Sequence, residues 1–329
     1  MDDITEINND NKLEISGNIN IHSLSEITEY INFNLDTIIL NYNNIVSCDL
    51  NVLPDNITNI EINNNSVEIE ELVLNEKHDW ESIILTNCNI KNINEINNIK
   101  CGNFDLRNND IEKIILNNCK INKLNINKNM LDSIEFNNCD INEIDLSFNK
   151  LKNNINFPDN LSKLILNNNN FIELPDNLPD TLLILNLNDN EIEKIDYLPK
   201  NIYKLELSNN KLKTFDVNLL SDDIKYFDIT YNLIKNNKIF KSVKASKLFY
   251  DTDSDSDNDS DSDSDSDISI KFVKSKYNID LINDEDLIND EELSNSTNSS
   301  SSNNDIQSFI ITKEYDKLIP VKMQWNLIL

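Results

Sequence analysis

The sequence predicts an α/β repeat solenoid, in which successive turns place short parallel strands side by side in a concave sheet and leave an extended or irregular convex side. Two observations predict this fold. The order of apolar residues and asparagine in LNLNDNEIEKI at 185–195 returns twenty residues later in LELSNNKLKTF at 205–215. Within each segment the leucines alternate with polar residues, as in a strand with one buried face. A fixed period of this kind is the signature of a repeat architecture.

The repeating unit has the form L-x-x-L-x-L-x-x-N-x-L, with Ile, Val, Phe, Trp or Cys also allowed at the apolar places. Ten units follow one another at spacings of 20–23 residues and predict an array over 35–245. They begin at Leu35, Ile57, Trp80, Cys101, Ile121, Ile141, Leu161, Leu182, Ile202 and Ile224. The ninth place holds, in the same order, Asn43, Asn65, Cys88, Asn109, Asn129, Asn149, Asn169, Asn190, Asn210 and Asn232. We predict that these side chains form a ladder between turns, because an amide can both donate and accept where buried backbone groups need partners.

Four units are introduced by a proline, in LPDNI at 53–57, FPDNL at 157–161, LPDTL at 178–182 and LPKNI at 198–202. The frame resembles the leucine-rich repeat family, and the form LPxxLxxLxLxxN is similar to its short bacterial-type repeats. The resemblance covers roughly residues 35–235, although the middle units lack the proline. It implies a horseshoe with a parallel concave sheet and a role in protein binding.

The register is ambiguous between residues 101 and 151, where the frame fits every ten residues. IEKIILNNCKI at 111–121 and LDSIEFNNCDI at 131–141 match it as well. The twenty-residue phase of the flanking units places both segments on the convex side, and we assign them there.

Residues 1–34 are predicted to form a short N-terminal cap. Ser23 and Glu26 have the spacing of a capping box, which favours a short helix at about 23–31. KLEISGNINI at 12–21 offers a strand pair that would cover the apolar end of the first repeat.

An acidic and Ser/Asn-rich region follows at 246–307 and is predicted to be disordered. Its central run, DTDSDSDNDSDSDSDSD at 251–267, has nothing apolar to bury and repels itself. We interpret it as a solubilising insertion, a binder of cations or basic proteins, or a substrate of an acid-directed kinase. Phosphorylation would add about 1.5–2 negative charges at each serine. The candidate phosphorylation sites are Ser254, Ser256, Ser260, Ser262, Ser264 and Ser266.

Residues 308–329 are predicted to be a strand-like tail or cap. ISIKFVK at 268–274, SFIITKEY at 308–315 and PVKMQWNLIL at 320–329 all read as strands. In one interpretation these strands fold back over the open end of the array. In the other, the apolar end QWNLIL is a docking peptide.

The composition offers no catalytic or cofactor-binding motif. With Gly17 and Gly102 as the only glycines, a glycine-rich phosphate loop is excluded. His22 and His78 are far apart, without a pair at metal-ligand spacing, and are expected to be ordinary residues. The amino end lacks the features of a signal peptide, and no run has the length of a membrane span. We therefore predict an intracellular protein, cytoplasmic or alternatively nuclear, that is not an enzyme and needs no cofactor or metal.

The cysteines indicate neither a disulfide framework nor a zinc site, because they are odd in number and include no CxxC pair. They are Cys48, Cys88, Cys101, Cys119 and Cys139. All five are expected to be small buried thiols.

The fifth place of each unit lies on the exposed face of the concave strands and forms the candidate partner-binding row. It holds Ile39, Glu61, Ile84, Asp105, Asn125, Asp145, Ile165, Asn186, Glu206 and Asp228. The five acids predict a broken acidic column. Tyr42, Phe148, Tyr226 and Tyr231 add aromatic side chains, a residue type enriched at binding hot spots.

The formal net charge of −29, which is −20 without the nine aspartates of the run, disfavours nucleic acids and anionic membranes as partners. It favours a basic protein partner. The leading hypothesis is a monomeric, non-catalytic scaffold that binds a protein through its concave face. One alternative is a binder of basic proteins that uses its Asp/Ser run and resembles the acidic leucine-rich nuclear phosphoproteins. The other is the substrate-recognition subunit of a ubiquitin ligase.

Overall fold

The computed structural model describes residues 11–17, 21–74, 79–91, 93, 95–152, 155–234, 248–251 and 269–273. Short 3-10 helices lie at Leu24–Tyr30, Leu50–Val52 and Val217–Leu219. The strands are, in chain order, β1 (Lys12–Ser16), β2 (Thr37–Asn41), β3 (Ser47–Asp49), β4 (Asn59–Asn63), β5 (Glu71–Val73), β6 (Asp79–Thr86), β7 (Glu95–Asn97), β8 (Lys100–Asp105), β9 (Lys113–Asn117), β10 (Lys120–Asn125), β11 (Ser133–Asn137), β12 (Asp140–Asp145), β13 (Lys163–Ile165), β14 (Ile184–Asn186), β15 (Lys204–Glu206), β16 (Tyr226–Asp228), β17 (Leu248–Asp251) and β18 (Ser269–Val273).

Thirteen of these strands form one long sheet, which we call the concave sheet. Its order is β1-β2-β4-β6-β8-β10-β12-β13-β14-β15-β16-β18-β17. The strands from β1 to β16 in this order are parallel, and each is separated from the next by one turn of the chain. The predicted repeat solenoid is therefore confirmed.

The concave strands form because apolar residues alternate along them. The fourth and sixth places of each unit, such as Leu185 and Leu187, are fully buried in one continuous core. Leu185 lies opposite Leu164 in the preceding strand and Leu205 in the next one. One unit cannot bury its leucines alone, so the core exists only because the turns stack.

The ninth-place side chains form the predicted ladder. In Asn169, the amide nitrogen donates to the carbonyls of Leu146 and Leu166, each at 3.0 Å. Its amide oxygen accepts from the backbone N–H of Leu151, also at 3.0 Å. At the ninth place of the third unit, the thiol of Cys88 acts as the donor in place of an amide. Its sulfur lies 3.2 Å from a backbone carbonyl oxygen of an earlier turn. Each ninth-place amide thus joins adjacent turns of the solenoid.

A second parallel sheet, formed by β7, β9 and β11, lies across the core from the concave sheet. Its apolar side chains, such as Ile114 and Leu116, are buried in the same core. β9 and β11 lie within the ambiguous segments 111–121 and 131–141. The assignment of these two strands outside the concave sheet is therefore confirmed. β3 and β5 form a further parallel pair. The convex side is therefore regular in the middle of the chain, whereas the return segments described within 155–234 contain no strand of this second sheet.

The start of the chain adds one strand to the concave sheet. β1 lies parallel to β2 with Lys12 opposite Thr37, and residues 18–20 of the predicted strand pair lie outside the described residues. Leu13 and Ile15 are buried, like the residues at the fourth and sixth places of the ten units. β1 therefore belongs to a further turn of the solenoid. The frame did not identify this turn because a polar residue, Asp10, stands at its first place.

The predicted N-terminal helix is present as the 3-10 helix Leu24–Tyr30. Ser23 caps it, since its hydroxyl accepts from the backbone N–H of Ser25 at 3.2 Å. Glu26 accepts from the N–H of His22 at 3.3 Å, one residue before the donor that a capping box uses.

Two further strands extend the far end of the concave sheet. β18 lies antiparallel to β16, and β17 lies antiparallel to β18. Both strands fall within the range 246–307, and the other residues of that range lie outside the described ones. β18 belongs to the segment 268–274 and covers the edge of β16, as one of the two interpretations proposes. The acidic run beyond Asp251 with its candidate phosphorylation sites, the end of the array at 245 and the segment 308–329 lie outside the described residues.

Candidate functional site

The ten fifth-place residues form one row across the concave sheet. Each lies opposite its counterpart in the next turn, from Ile39 opposite Glu61 to Glu206 opposite Asp228. The predicted row is therefore continuous, although its charged members differ in their surroundings.

Three of the five acids in this row stabilise the turn that follows their strand. Asp105, Asp145 and Asp228 each accept a hydrogen bond, at 3.0–3.1 Å, from the backbone N–H two residues later. Asn125 and Asn186 do the same in their own turns. A side chain that satisfies its own backbone in this way favours a turn. These three carboxylates therefore have a structural role that the spacing of the row did not indicate.

The acids of the row also have charged or amide partners. Glu206 Oε2 lies 3.1 Å from Lys204 Nζ, and Glu61 accepts a hydrogen bond from the amide of Asn63. Asp105 lies 3.1 Å from the guanidinium of Arg107. Burial raises the pKa of the Asp105 carboxyl above its usual range, although the Arg107 backbone and charge oppose this shift. The acidic column is therefore compensated from within the chain.

Lysines at the third place of the units form a second row that the sequence analysis missed. Lys123 and Lys163 lie on either side of Glu143, with their Nζ atoms 3.8 and 3.9 Å from its Oε2. Lys204 lies in β15, three strands beyond β12 in the sheet, and continues the row. Counting charges at the third place as well as the fifth could have revealed this row. The concave face thus presents both signs of charge.

We expect Asp145→Ala to lower the free energy of unfolding by about 2 kcal/mol, because hydrogen bonds to a charged group are lost. Asp145 accepts from the N–H and hydroxyl of Ser147 at 3.0 and 2.7 Å and from Asn127 at 3.1 Å. Asp145→Asn should cost less than about half as much, since Asn125 and Asn186 hold their turns with an amide oxygen. Urea denaturation of both variants is the measurement. Equal losses would contradict the assigned structural role.

The eighth place of the units has an unusual backbone conformation. All ten residues there have φ between 52° and 58°, the left-handed region. They are Tyr42, Asn64, Asn87, Asn108, Lys128, Phe148, Asn168, Asp189, Asn209 and Tyr231. Asparagine and aspartate tolerate this conformation, whereas bulky side chains rarely adopt it.

Hydrogen bonds between turns hold this conformation. The N–H of Tyr42 donates to the carbonyl of Asn63, and the N–H of Phe148 donates to the carbonyl of Asn167, each at 3.0 Å. In the other eighth-place residues up to Asn209, the backbone N–H likewise donates to a carbonyl of the next turn. The solenoid therefore imposes the left-handed backbone whichever side chain stands there.

Three eighth-place residues are aromatic and exposed. Tyr42 is 60%, Phe148 47% and Tyr231 57% exposed. The Nζ of Lys128 lies 5.9 Å from the centre of the Phe148 ring, within cation–π range. Tyr226, the fourth predicted aromatic, differs because it lies at the third place, is half-buried and donates its hydroxyl to Asp228 at 3.3 Å.

The structure spreads the three exposed aromatics along the whole sheet. Phe148 follows Tyr42 by five turns and precedes Tyr231 by four. At about 4.8 Å per strand, the outer two lie about 43 Å apart if the sheet is taken as straight. Tyr42, Phe148 and Tyr231 therefore mark a line and not a pocket.

Four of the five predicted cysteines are buried and one is partly exposed. Cys48, Cys88, Cys101 and Cys119 are buried as predicted, and burial raises the pKa of Cys88 and Cys101 to about 12. Cys139 is half-exposed, which corrects its prediction as a buried thiol, because β11 is the last strand of the second sheet.

Neither a metal site nor a membrane-crossing helix is found in the part of the chain that the structure describes. No three potential His, Cys, Asp or Glu ligands gather there. No helix there is both long and apolar enough to cross a bilayer. His22 is exposed, with Nδ1 3.2 Å from the Asn44 carbonyl, and His78 lies outside the described residues.

Comparisons with known proteins give fold-level likenesses only. No family model matches the chain, and no curated protein matches it. A solved structure of YopM from Yersinia enterocolitica WA-314 is 16% identical over 69% of this chain, with a TM-score of 0.33, and the match spans 59% of that protein's length. A second structure, of YopM as a leucine-rich effector protein from Yersinia pestis, is 18% identical over 68% of this chain and 78% of that one, with a TM-score of 0.32.

Likenesses this weak carry no argument about identity, so the assignment rests on the chain itself. The frame recurs every 20–23 residues, its leucines fill one core, and the concave strands from β1 to β16 lie parallel in one sheet. Because the chain's own repeat builds a parallel solenoid whose turns are joined by ninth-place amides, its fold is that of a leucine-rich repeat solenoid.

Proposed function

We propose that the chain is a non-catalytic scaffold that binds another protein along its concave sheet, with Tyr42, Phe148 and Tyr231 as anchors. One observation carries this proposal: three large aromatic side chains are exposed at places whose backbone disfavours them. Solenoids commonly present an extended concave surface for binding, and exposed aromatic groups are frequent hot spots.

The energetic argument compares the residues found at the eighth place. A bulky residue held in the left-handed region costs about 1–3 kcal/mol, and such residues cluster at functional sites. Five of the ten units place asparagine there, which avoids most of this cost. The aromatic residues gain little from burial in compensation, since about half of each side chain remains in solvent. Their presence is therefore better explained by a contact made outside the chain.

The geometry also limits the partner. A line of anchors about 43 Å long suits an elongated protein segment better than a small molecule. The mixed charges of the third- and fifth-place rows supply polar contacts of both signs around the anchors. The net charge of −29 supports a basic partner, because it would speed encounter at low salt. A monomeric scaffold located in the cytoplasm or nucleus is part of the same proposal.

The test replaces all three anchors with asparagine, in Tyr42→Asn, Phe148→Asn and Tyr231→Asn. We expect the triple variant to be at least as stable as the parent, because asparagine accepts the left-handed backbone. We expect its affinity for the partner to fall roughly thirtyfold or more, the effect of losing a hot spot worth about 2 kcal/mol. Proteins retained from source cells on the full chain would be identified, purified and titrated against both forms.

Asn64→Tyr is the matched control, because Asn64 has the same backbone conformation at an eighth place without an aromatic residue. This variant should lose about 1–2 kcal/mol of stability and keep the partner's affinity. A triple variant that binds its partner as tightly as the parent would contradict the proposal. A triple variant that unfolds more easily would show that the aromatics serve the fold.

A further inference from the structure

Cys119 and Cys139 occupy equivalent places one turn apart on the second sheet. Each follows its strand by two residues, after β9 and β11 respectively, and each comes after an asparagine with a left-handed backbone. The strands keep their register up to this point, since the N–H of Asn118 donates to the Asn137 carbonyl at 2.8 Å. The two cysteines thus form a short sulfur ladder at the end of the second sheet, as the ninth-place asparagines form a ladder in the concave turns.

The two thiols lie against the same stretch of backbone. The Sγ of Cys139 is 3.3 Å from the Leu116 carbonyl, and the Sγ of Cys119 is 3.4 Å from the Asn117 carbonyl. Neighbouring strands are about 4.8 Å apart, and a disulfide needs Cα atoms about 4.4–6.8 Å apart. The backbone therefore already holds the pair at a distance that a disulfide can bridge.

Only one member of the pair is open to solvent. Cys119 is 1% exposed, whereas Cys139 is half-exposed because the second sheet ends at β11. The neighbouring Cys119 thiol lowers the pKa of Cys139 to about 7, whereas the neighbouring Cys139 sulfur and burial both raise the pKa of Cys119. By contrast, burial raises the pKa of Cys48, Cys88 and Cys101. A reactive cysteine is one that is accessible and forms a thiolate near neutral pH.

We propose that Cys139 is a thiol-modification site that reacts with small disulfides such as oxidised glutathione, and that Cys119 resolves the adduct into a disulfide between adjacent turns. In the first step the Cys139 thiolate attacks one sulfur of oxidised glutathione. The glutathione S–S bond breaks, one glutathione thiolate leaves, and a mixed disulfide forms on Cys139.

In the second step the Cys119 sulfur attacks the Cys139 sulfur. The mixed disulfide breaks, the second glutathione leaves, and the proton of Cys119 passes to it. Two protein thiols are oxidised and one oxidised glutathione is reduced to two thiols. The product joins two turns of the solenoid at the edge of the second sheet, away from the concave face of the proposed partner site.

The experiment incubates the full chain with oxidised glutathione at pH 7.4 and maps its peptides by mass spectrometry without reduction. We expect Cys139 to react roughly tenfold or more faster than any other cysteine, and the parent to end as a Cys119–Cys139 disulfide. Cys119→Ser should stop at a stable glutathione adduct on Cys139. Cys139→Ser should leave Cys119 unmodified. In denaturant the five thiols of the parent should react at similar rates, which makes the selectivity a property of the fold.

Cys88→Ser is the control for removing a buried thiol outside the pair, and it should form the disulfide as the parent does. Equal reaction rates of the five folded thiols would overturn the proposal. A parent chain that retains the mixed disulfide on Cys139 would overturn the resolving role of Cys119. The rate measured on the unmodified chain requires no variant to fold.

Discussion

Replacing Asn169 with alanine is expected to lower the free energy of unfolding by about 2–4 kcal/mol, because several buried backbone groups would lose their partners together. The Asn169 amide bonds the carbonyls of Leu146 and Leu166 and the N–H of Leu151. None of these groups can reach water, since Asn169 is buried in the turn. Urea denaturation monitored by circular dichroism measures the change.

The chain supplies its own control within the run of four asparagines at 167–170. Asn170 is exposed, and Asn170→Ala should change stability by less than about 0.5 kcal/mol. Asn169→Cys should fall between the two, because the thiol of Cys88 already donates to carbonyls at the ladder place. Equal effects at 169 and 170 would contradict the ladder.

Gly102→Ala is expected to destabilise the chain by about 3 kcal/mol, the upper part of the usual cost of overpacking. A Cβ atom at Gly102 would lie 2.6 Å from the backbone carbonyl oxygen of Glu81. This oxygen belongs to β6, which pairs with β8 on both sides of the contact, at Trp80 with Cys101 and at Ser82 with Asn103. The carbonyl therefore cannot move away without disturbing the pairing.

The sign of this effect is itself a test. Without the close approach, alanine in place of a strand glycine should stabilise the chain by about 0.5–1 kcal/mol. Asn122→Ala is the control, because Asn122 holds the same place in the next turn and is exposed. Its effect should stay within about 0.5 kcal/mol. A neutral or stabilising Gly102→Ala would show that β6 and β8 are further apart at this point.

Much of the fold was predictable because its signals are local. Alternation around Leu185 and Leu187 predicts a strand, and its return every 20–23 residues predicts stacking. The ninth-place asparagines follow from the same phase, as does the placement of 111–121 outside the concave sheet. The turn that contains β1 was missed because a polar residue stands where the frame expects an apolar one.

The alignment of the candidate site residues in a row was predictable, but the hydrogen bonds and ion pairs of these residues were not. The fifth-place acids were correctly aligned, yet their spacing does not show that Asp145 bonds its own turn or that Glu206 pairs with Lys204. Such partners depend on where side chains meet after the turns have stacked.

The sequence by itself determined the repeat period, the face of each concave strand that is buried and the residues that form the ladder. Each of these depends only on which residue types recur at the same place of the unit. Only the tertiary structure decided the left-handed backbone at Tyr42 and Phe148, and the placement of Cys119 and Cys139 in adjacent turns. The physical reason is that stacking imposes hydrogen bonds from one turn to the next. These bonds set backbone angles, exposure and thiol contacts whichever residue the pattern places there.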